Sequence, residues 1–268
     1  MKTIRIMLSM LLAVVTYSSS LAQGIIIYKS NGTQEKLPYV AVDSIIPYYA
    51  DKNPVQVTDP KPVDLGLPSG TLWADINVGA SAPEKHGGYY ALGETEEKLT
   101  YSWSSYMCTS SSACGTSSDP LYADGLLTYT KVSTVVLNVK CNIAGTKYDV
   151  ATQKWGESWM MPTAQQFQEL FDNCTRANVK INDVDCVEYT GPNGNTLIIP
   201  LSGGYMEDKN LKNADDYIQR TYFWAADFTF SLDSGGGATV TSTSESASTN
   251  IFQEYRYRGK QIRPVKKK

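Results

Sequence analysis

Apolar and polar positions are arranged in three ways along this chain. Near the start, Ile6 to Val15 form an apolar run behind Lys2 and Arg5, and the small-residue stretch Ser20-Leu21-Ala22 follows. Positive charge, apolar stretch and small-residue cleavage site in that order predict an export signal removed after Ala22. The run is too short to cross roughly 30 Å of hydrocarbon as a helix, and no later segment is long enough, so no integral membrane protein is expected after cleavage. No cysteine lies at the cleavage site to carry a lipid. The exported chain is expected to begin at Gln23 and to reside in the periplasm, at the cell surface or outside the cell.

The second arrangement is short apolar runs punctuated by turn residues, which predicts strands. Gly24 to Tyr49 hold two such runs around Asn31-Gly32 and read as a small β-hairpin module over 23–50. Asp51 to Pro62, with three prolines and no large apolar run, reads as a linker. A main domain over 63–268 follows. Within it, Asp185–Tyr189 and Thr196–Leu201 flank a Gly191-Pro192-Asn193-Gly194 turn, where Asn193-Gly194 suits positive φ. Tyr222–Phe228 and the final Lys260–Lys266 are further strand candidates, and Ser231–Asn250 is expected to combine a strand with a loop.

The third arrangement occurs once. Phe167, Leu170, Phe171 and Cys174 recur at helical spacing, which places all four on one face. Pro162 discourages earlier helix, while Thr163 and Gln166 stand where a capping box requires them. One well-defined helix over about 163–174 follows, in an α+β domain of short antiparallel strands and long loops.

Composition narrows the function. Five Trp and eighteen Tyr against six Phe is an aromatic set whose N–H and O–H groups keep polar partners while the rings pack. Loss of the signal removes two positive charges and no negative ones, taking the formal charge from -3 to about -5, so no nucleic-acid partner is expected. Lys266-Lys267-Lys268 reads as a solvated tail. Cys108, Cys114, Cys141, Cys174 and Cys186 sit in an exported chain where disulfides form, but five thiols leave at least one over and the pairing open. There is no C-x-x-C, and the single histidine, His86, is remote from the cysteines, so no metal site and no cofactor are expected.

LGLPSGTLWADINVGA, APEKHGGYYALGE, YSWSSY, the IAGTKYDVATQKWGESWMMPTAQQFQELFDNCT stretch, YTGPNGNTLIIPLSGG, YFWAAD and IRPV occur in that order between Val63 and Val265. Together they resemble a major paralogous family of secreted bacterial proteins. That resemblance implies the C-type-lectin-like fold shared with the formylglycine-generating enzymes. It implies that Trp73, Trp155, Trp159, Pro162, Thr163, Gly194 and Arg263 are structural signature positions. Met160 stands where the family commonly has Arg, which would alter the surroundings of Arg263. Asp43-Ser44-Ile45 resembles the end of a strand pair that often opens secreted proteins of anaerobic Gram-negative bacteria.

The chemistry of the resembling enzymes is not expected, because their late cysteines have no counterpart after Cys186. Calcium-dependent sugar binding is not expected either: Gly191-Pro192-Asn193 lacks the first oxygen ligand and Trp224-Ala225-Ala226-Asp227 is not the second motif. G-x-S-x-G, H-E-x-x-H and G-x-x-x-x-G-K are absent. Glu94, Glu96 and Glu97 read as a solvated charge run, and His86 as a turn residue. What remains is an exported, non-catalytic binding protein that recognises a glycan or a surface protein through loops over 104–129 and 228–257, rich in Ser, Thr, Gly and Tyr. Trp224, Asp227, Tyr255 and Tyr257 are the expected ligand contacts. Two alternatives stand beside it: a structural component of a surface appendage assembled by strand addition at the N-terminal module, and a binding protein diversified by a retroelement over 222–262.

Overall fold

Turn residues every few positions leave room for strands of two to eight residues and for little helix. The computed structural model describes residues 24–28, 34–38, 59–201, 203, 205–207, 210–212, 220–242 and 251–267. The signal segment, the Asn31-Gly32 turn, Asp43-Ser44-Ile45, most of the linker and 243–250 lie outside the described residues.

In chain order the elements are β1 (Gly24–Tyr28), β2 (Gln34–Pro38), β3 (Pro62–Asp64), β4 (Thr71–Ala74), α1 (Pro120–Ala123), β5 (Leu127–Val132), β6 (Val135–Asn142), α2 (Val150–Trp155) and α3 (Ala164–Asn173). Then come β7 (Thr175–Ile181), β8 (Val184–Thr190), β9 (Thr196–Pro200), β10 (Tyr205–Glu207), β11 (Asn210–Lys212), β12 (Arg220–Trp224), β13 (Asp227–Phe228), β14 (Ser234–Thr241), β15 (Ile251–Tyr255) and β16 (Val265–Lys267). The chain is therefore mostly β-sheet with few helices. It divides into two compact units, 1–56 and 57–268. In the first, β1 pairs antiparallel with β2, Gly24 opposite Pro38 and Tyr28 opposite Gln34.

The second unit is built from small antiparallel sheets in the orders β16-β4-β3, β13-β6-β5, β7-β8-β9, β12-β14-β15 and β10-β11. β4 lies between the first and last strands of the unit, with Trp73 opposite both Val63 and Val265. Trp73 is fully buried and its ring meets Phe167 of α3 at 5.2 Å, which joins this sheet to the helix. Phe167 and Leu170 are fully buried, whereas Phe171 is half-buried and packs on Tyr189.

The helix start is the one the sequence specifies. Gln166 N–H donates to Thr163 Oγ1 at 3.2 Å, and Thr163 N–H donates to Gln166 Oε1 at 2.9 Å, so two otherwise orphaned donors are satisfied. Cys174 is not part of the helical face: it is the C-cap, extended at φ -110°, half-buried. The expectation of one helix is also corrected. Asp119 and Asp149 cap α1 and α2 by accepting from Leu121 N–H and Thr152 N–H, and Pro120 supplies a preset φ at the first turn. These helices span four and six residues, too few for a 3.6-residue periodicity to show.

The β8–β9 hairpin forms as expected, but positive φ is confined to Gly194 (+84°) and does not include Asn193. Asn193 instead ties the turn to β3, its side-chain N–H donating to Asp64 O at 2.8 Å. The strand in the Ser/Gly-rich region begins earlier than the ATVTSTS alternation indicates, at Ser234, because Gly235 runs against Leu92 and Trp224 where a Cβ would lie 2.3 Å from Leu92 Cδ2. Cys108 and Cys114 form a disulfide, and Cys141, Cys174 and Cys186 are free thiols, so three cysteines are left over.

Candidate functional site

The segment YRYRGK, Tyr255 to Lys260, alternates aromatic and cationic residues where β15 ends. A turn follows, with Arg258 N–H donating to Tyr255 O at 3.1 Å, and Gly259 and Lys260 then bridge to Met206 and Tyr90. Arg256 and Tyr257 are the central residues of that turn; Tyr255, which ends the strand, is 42% exposed, and Arg256 is fully buried.

Each of the three cations meets its own surroundings. Arg256 Nη2 donates to Asp119 Oδ2 at 2.7 Å and lies 2.9 Å from Cys108 Sγ, with its guanidinium 5.6 Å from the Tyr106 ring centre. Arg258 reaches outward between Glu207 (2.8 Å) and Glu254, and lies 4.6 Å from the ring centre of Tyr205. Lys260 turns inward again. Its Nζ lies 4.5, 4.7 and 5.1 Å from the ring centres of Tyr205, Tyr222 and Trp224. Burial pulls the Lys260 amine down to about 7, while the electron-rich ring faces favour the charged form.

These anchors hold an aromatic group at the surface. Trp103, half-buried in a 3₁₀ turn, meets Tyr257 at 4.9 Å and Tyr255 at 5.7 Å, both edge-on, and Tyr255 stacks on Tyr257 at 5.8 Å with 17° between planes. Tyr257 O–H donates to Glu207 Oε1 at 2.7 Å, and burial together with that bond pushes its phenol up to about 12. Around the rings stand the exposed Ser104 and Ser105, the half-buried Ser102, the exposed Gln253 and the Glu207–Arg258–Glu254 triad. Ser105 Oγ donates to Thr100 O at 2.7 Å, so the turn carrying Trp103 is tied down. The result is an aromatic group in which Tyr255 is exposed, Trp103 half-buried and Tyr257 only 8% exposed, with a rim of hydroxyl, amide and charged groups.

Of the four expected ligand contacts, Tyr255 and Tyr257 belong to this group, though Tyr257 is buried behind Tyr255 and only Tyr255 is exposed, and two do not. Trp224 is fully buried, with Nε1 donating to Tyr90 O at 2.9 Å, so its ring forms core and the floor under Lys260. Asp227 Oδ1 accepts from Ala164 N–H at 2.7 Å, placing a carboxylate on an orphaned donor at the start of α3. Trp103, Tyr205, Glu207 and Arg258 complete the group and were not singled out from the sequence. The period-two alternation of YRYRGK is the one local signal that marks the place. Trp103 and Glu207 arrive from far away in the chain, and nothing near them in sequence points to Tyr257.

The other positions singled out by the resemblance make local packing and backbone contacts. Trp155 and Trp159 meet edge-on at 5.6 Å, and Pro162 O accepts from Ala226 N–H at 2.7 Å. Arg263 is fully buried, donating from Nε to Asn77 Oδ1 (2.6 Å) and from Nη1 to Ala74 O (3.1 Å), and burial lowers it to about 9. Met160 pairs its backbone with Val265. Glu96 and Glu97 are exposed, as a solvated run requires, while Glu94 is half-buried and pairs with Lys98 at 2.5 Å; Glu96 also pairs with Lys154 at 2.6 Å, and Glu97 accepts from Tyr89 N–H at 2.9 Å. His86 is an exposed turn residue with Nδ1 2.6 Å from Gly87 O. Cys108, Cys114 and Asp119 are the one cluster of metal-ligand type among the described residues, and a disulfide beside a guanidinium offers no thiolate to a cation. No helix among the described residues is long and apolar enough to cross a membrane. No family model, no curated protein and no solved structure matches this chain.

Proposed function

We propose that the chain is an exported, non-catalytic binding protein of C-type-lectin-like architecture whose ligand is a glycan held on the Trp103–Tyr255–Tyr257 face. The supporting observation is that face itself: three clustered rings, one of them 42% exposed, held from behind by buried side chains. The C–H side of a sugar ring packs on an aromatic face, and its hydroxyls need short, fixed polar partners. Ser102, Ser104, Gln253 and the Glu207–Arg258–Glu254 triad supply both donors and acceptors at the rim. Rigid anchoring matters because side chains already held in place lose little entropy on binding. The lectin-like architecture is supported by the seven collinear sequence blocks and by the meeting of β3 and β16 on β4, which closes the unit between its ends.

The test is a glycan and mucin array with the chain from Gln23 onward, in calcium and in chelator. Binding in both conditions, lost in Trp103→Ala and Tyr255→Ala proteins that melt normally, is the expected result. Silence from folded protein, or binding indifferent to both substitutions, sinks the assignment.

A further inference from the structure

β5 and β6 form a ribbon whose third neighbour, β13, pairs only with Cys141 and Asn142. From Thr130 to Leu137 the ribbon therefore has no third strand among the described residues. Between the pairs Thr128–Lys140 and Thr130–Leu137, β6 holds one residue more than β5, and Asn138 takes up the excess at φ 54°. One side of the ribbon is satisfied: Leu127, Val139 and Cys141 are buried, and Tyr129 and Val136 pack on the same core. The other side is not. Val132 and Val135 stand opposite each other at the tip, 58% and 54% exposed, and Leu137, two residues from Val135 on the same side, is 45% exposed.

Charge distinguishes the occupants of this apolar tip. From Gly125 to Tyr148 the chain carries Lys131, Lys140 and Lys147 and no acidic residue, although acids outnumber bases over the whole chain by 27 to 24. Lys147 is paired with Asp124 at 2.7 Å, while Lys140 is exposed on the same side of the ribbon as the apolar residues and Lys131, opposite Val136, is exposed on its other side, so the two lysines flank the tip. Strand addition by a second copy is disfavoured, because a bulge and an edge lysine are the features that blunt a sheet edge. A small apolar tip between lysines instead matches an interface that is apolar below and anionic above.

We infer that the β5–β6 tip is a peripheral docking element for an anionic phospholipid surface, with Val132, Val135 and Leu137 entering the acyl boundary and Lys131 and Lys140 meeting headgroup phosphates. It is separate from the aromatic face and does not depend on the glycan assignment. The experiment is co-sedimentation of the chain from Gln23 onward, which lacks the apolar leader, with phosphatidylethanolamine vesicles with and without phosphatidylglycerol. The expected result is association only with the phosphatidylglycerol vesicles, weakened by salt. Val132→Asp with Val135→Asp should lower it on the order of tenfold or more, and Lys131→Glu with Lys140→Glu should abolish the preference for anionic lipid. Unchanged melting of both variants shows that folding is not the cause. No association with anionic vesicles, or equal association by wild type and tip variant, overturns the inference. So does an acidic protein that binds the tip while vesicles do not.

Discussion

Arg256 and Asp119 form an ion pair at 2.7 Å with both side chains fully buried, and this pair fixes the backbone between the two tyrosines of the aromatic face. Asp119 also accepts from Gly115 N–H and Leu121 N–H, so one carboxylate joins the disulfide loop, the start of α1 and the YRYRGK segment. Removing one partner strands a buried charge. Asp119→Ala is expected to cost about 3–5 kcal/mol in chemical denaturation. Arg256→Met strands the Asp119 carboxylate, but that carboxylate keeps the Gly115 and Leu121 N–H donors and Met fills part of the volume, so it should cost less than Asp119→Ala. A smaller cost for Asp119→Ala than for Arg256→Met would contradict this.

Trp224 and Tyr255 separate structure from binding. Trp224→Ala opens a cavity in the core and is expected to lose about 3–5 kcal/mol of stability. Tyr255→Ala, at a surface ring, should change stability by under about 1 kcal/mol while lowering ligand affinity on the order of tenfold. Melting curves and binding isotherms on the two proteins decide the matter. Strong destabilisation by Tyr255→Ala would show that the ring is scaffold.

Lys260 gives a pH dependence of defined sign. Its folded-state value is lowered by burial to about 7, below the ordinary 10.5 of an unfolded lysine. Below the folded value both states hold the proton and the full cost of burying an ammonium is present. Between about 7 and 10.5 the unfolded chain binds more protons than the folded one, so this group makes stability rise with pH. Wild type should gain on the order of 1–3 kcal/mol relative to Lys260→Met from pH 7 to pH 10, read by urea denaturation at each pH. A flat difference between the two proteins over that range would place the amine's titration elsewhere.

Gly191 is set by a close approach. A Cβ there would lie 2.1 Å from the carbonyl oxygen of Leu65, and a backbone atom held beside β3 has little room to move. Gly191→Ala should destabilise by about 1–3 kcal/mol, whereas Gly145→Ala, whose Cβ meets nothing within 4 Å, should show only the cost of its positive φ. Thermal melts of the two variants, with Gly191→Ala the lower, check the assignment.

Local pattern determined a definite part of this molecule. Thr163, Gln166 and Pro162 specify the start of α3 through contacts within four residues, and Gly194 specifies the β8–β9 turn through its own backbone freedom. Strand positions at Tyr222 and Val265 were legible for the same reason, since pleat and turn chemistry act between neighbours in sequence. Tertiary structure decided what those elements are for. Trp224 and Tyr255 are both aromatic residues in strands, yet one forms a fully buried floor and the other a surface ring. The difference lies in which distant segments cover them: Tyr90 accepts the Trp224 N–H, while Trp103 meets the Tyr255 ring and leaves part of it in solvent. Asp227 passed from expected ligand contact to helix cap because Ala164, sixty-three residues away, brings an unsatisfied N–H to it. Burial and partner choice are sums over long-range contacts, so they follow from the folded arrangement and are absent from any local window of the sequence.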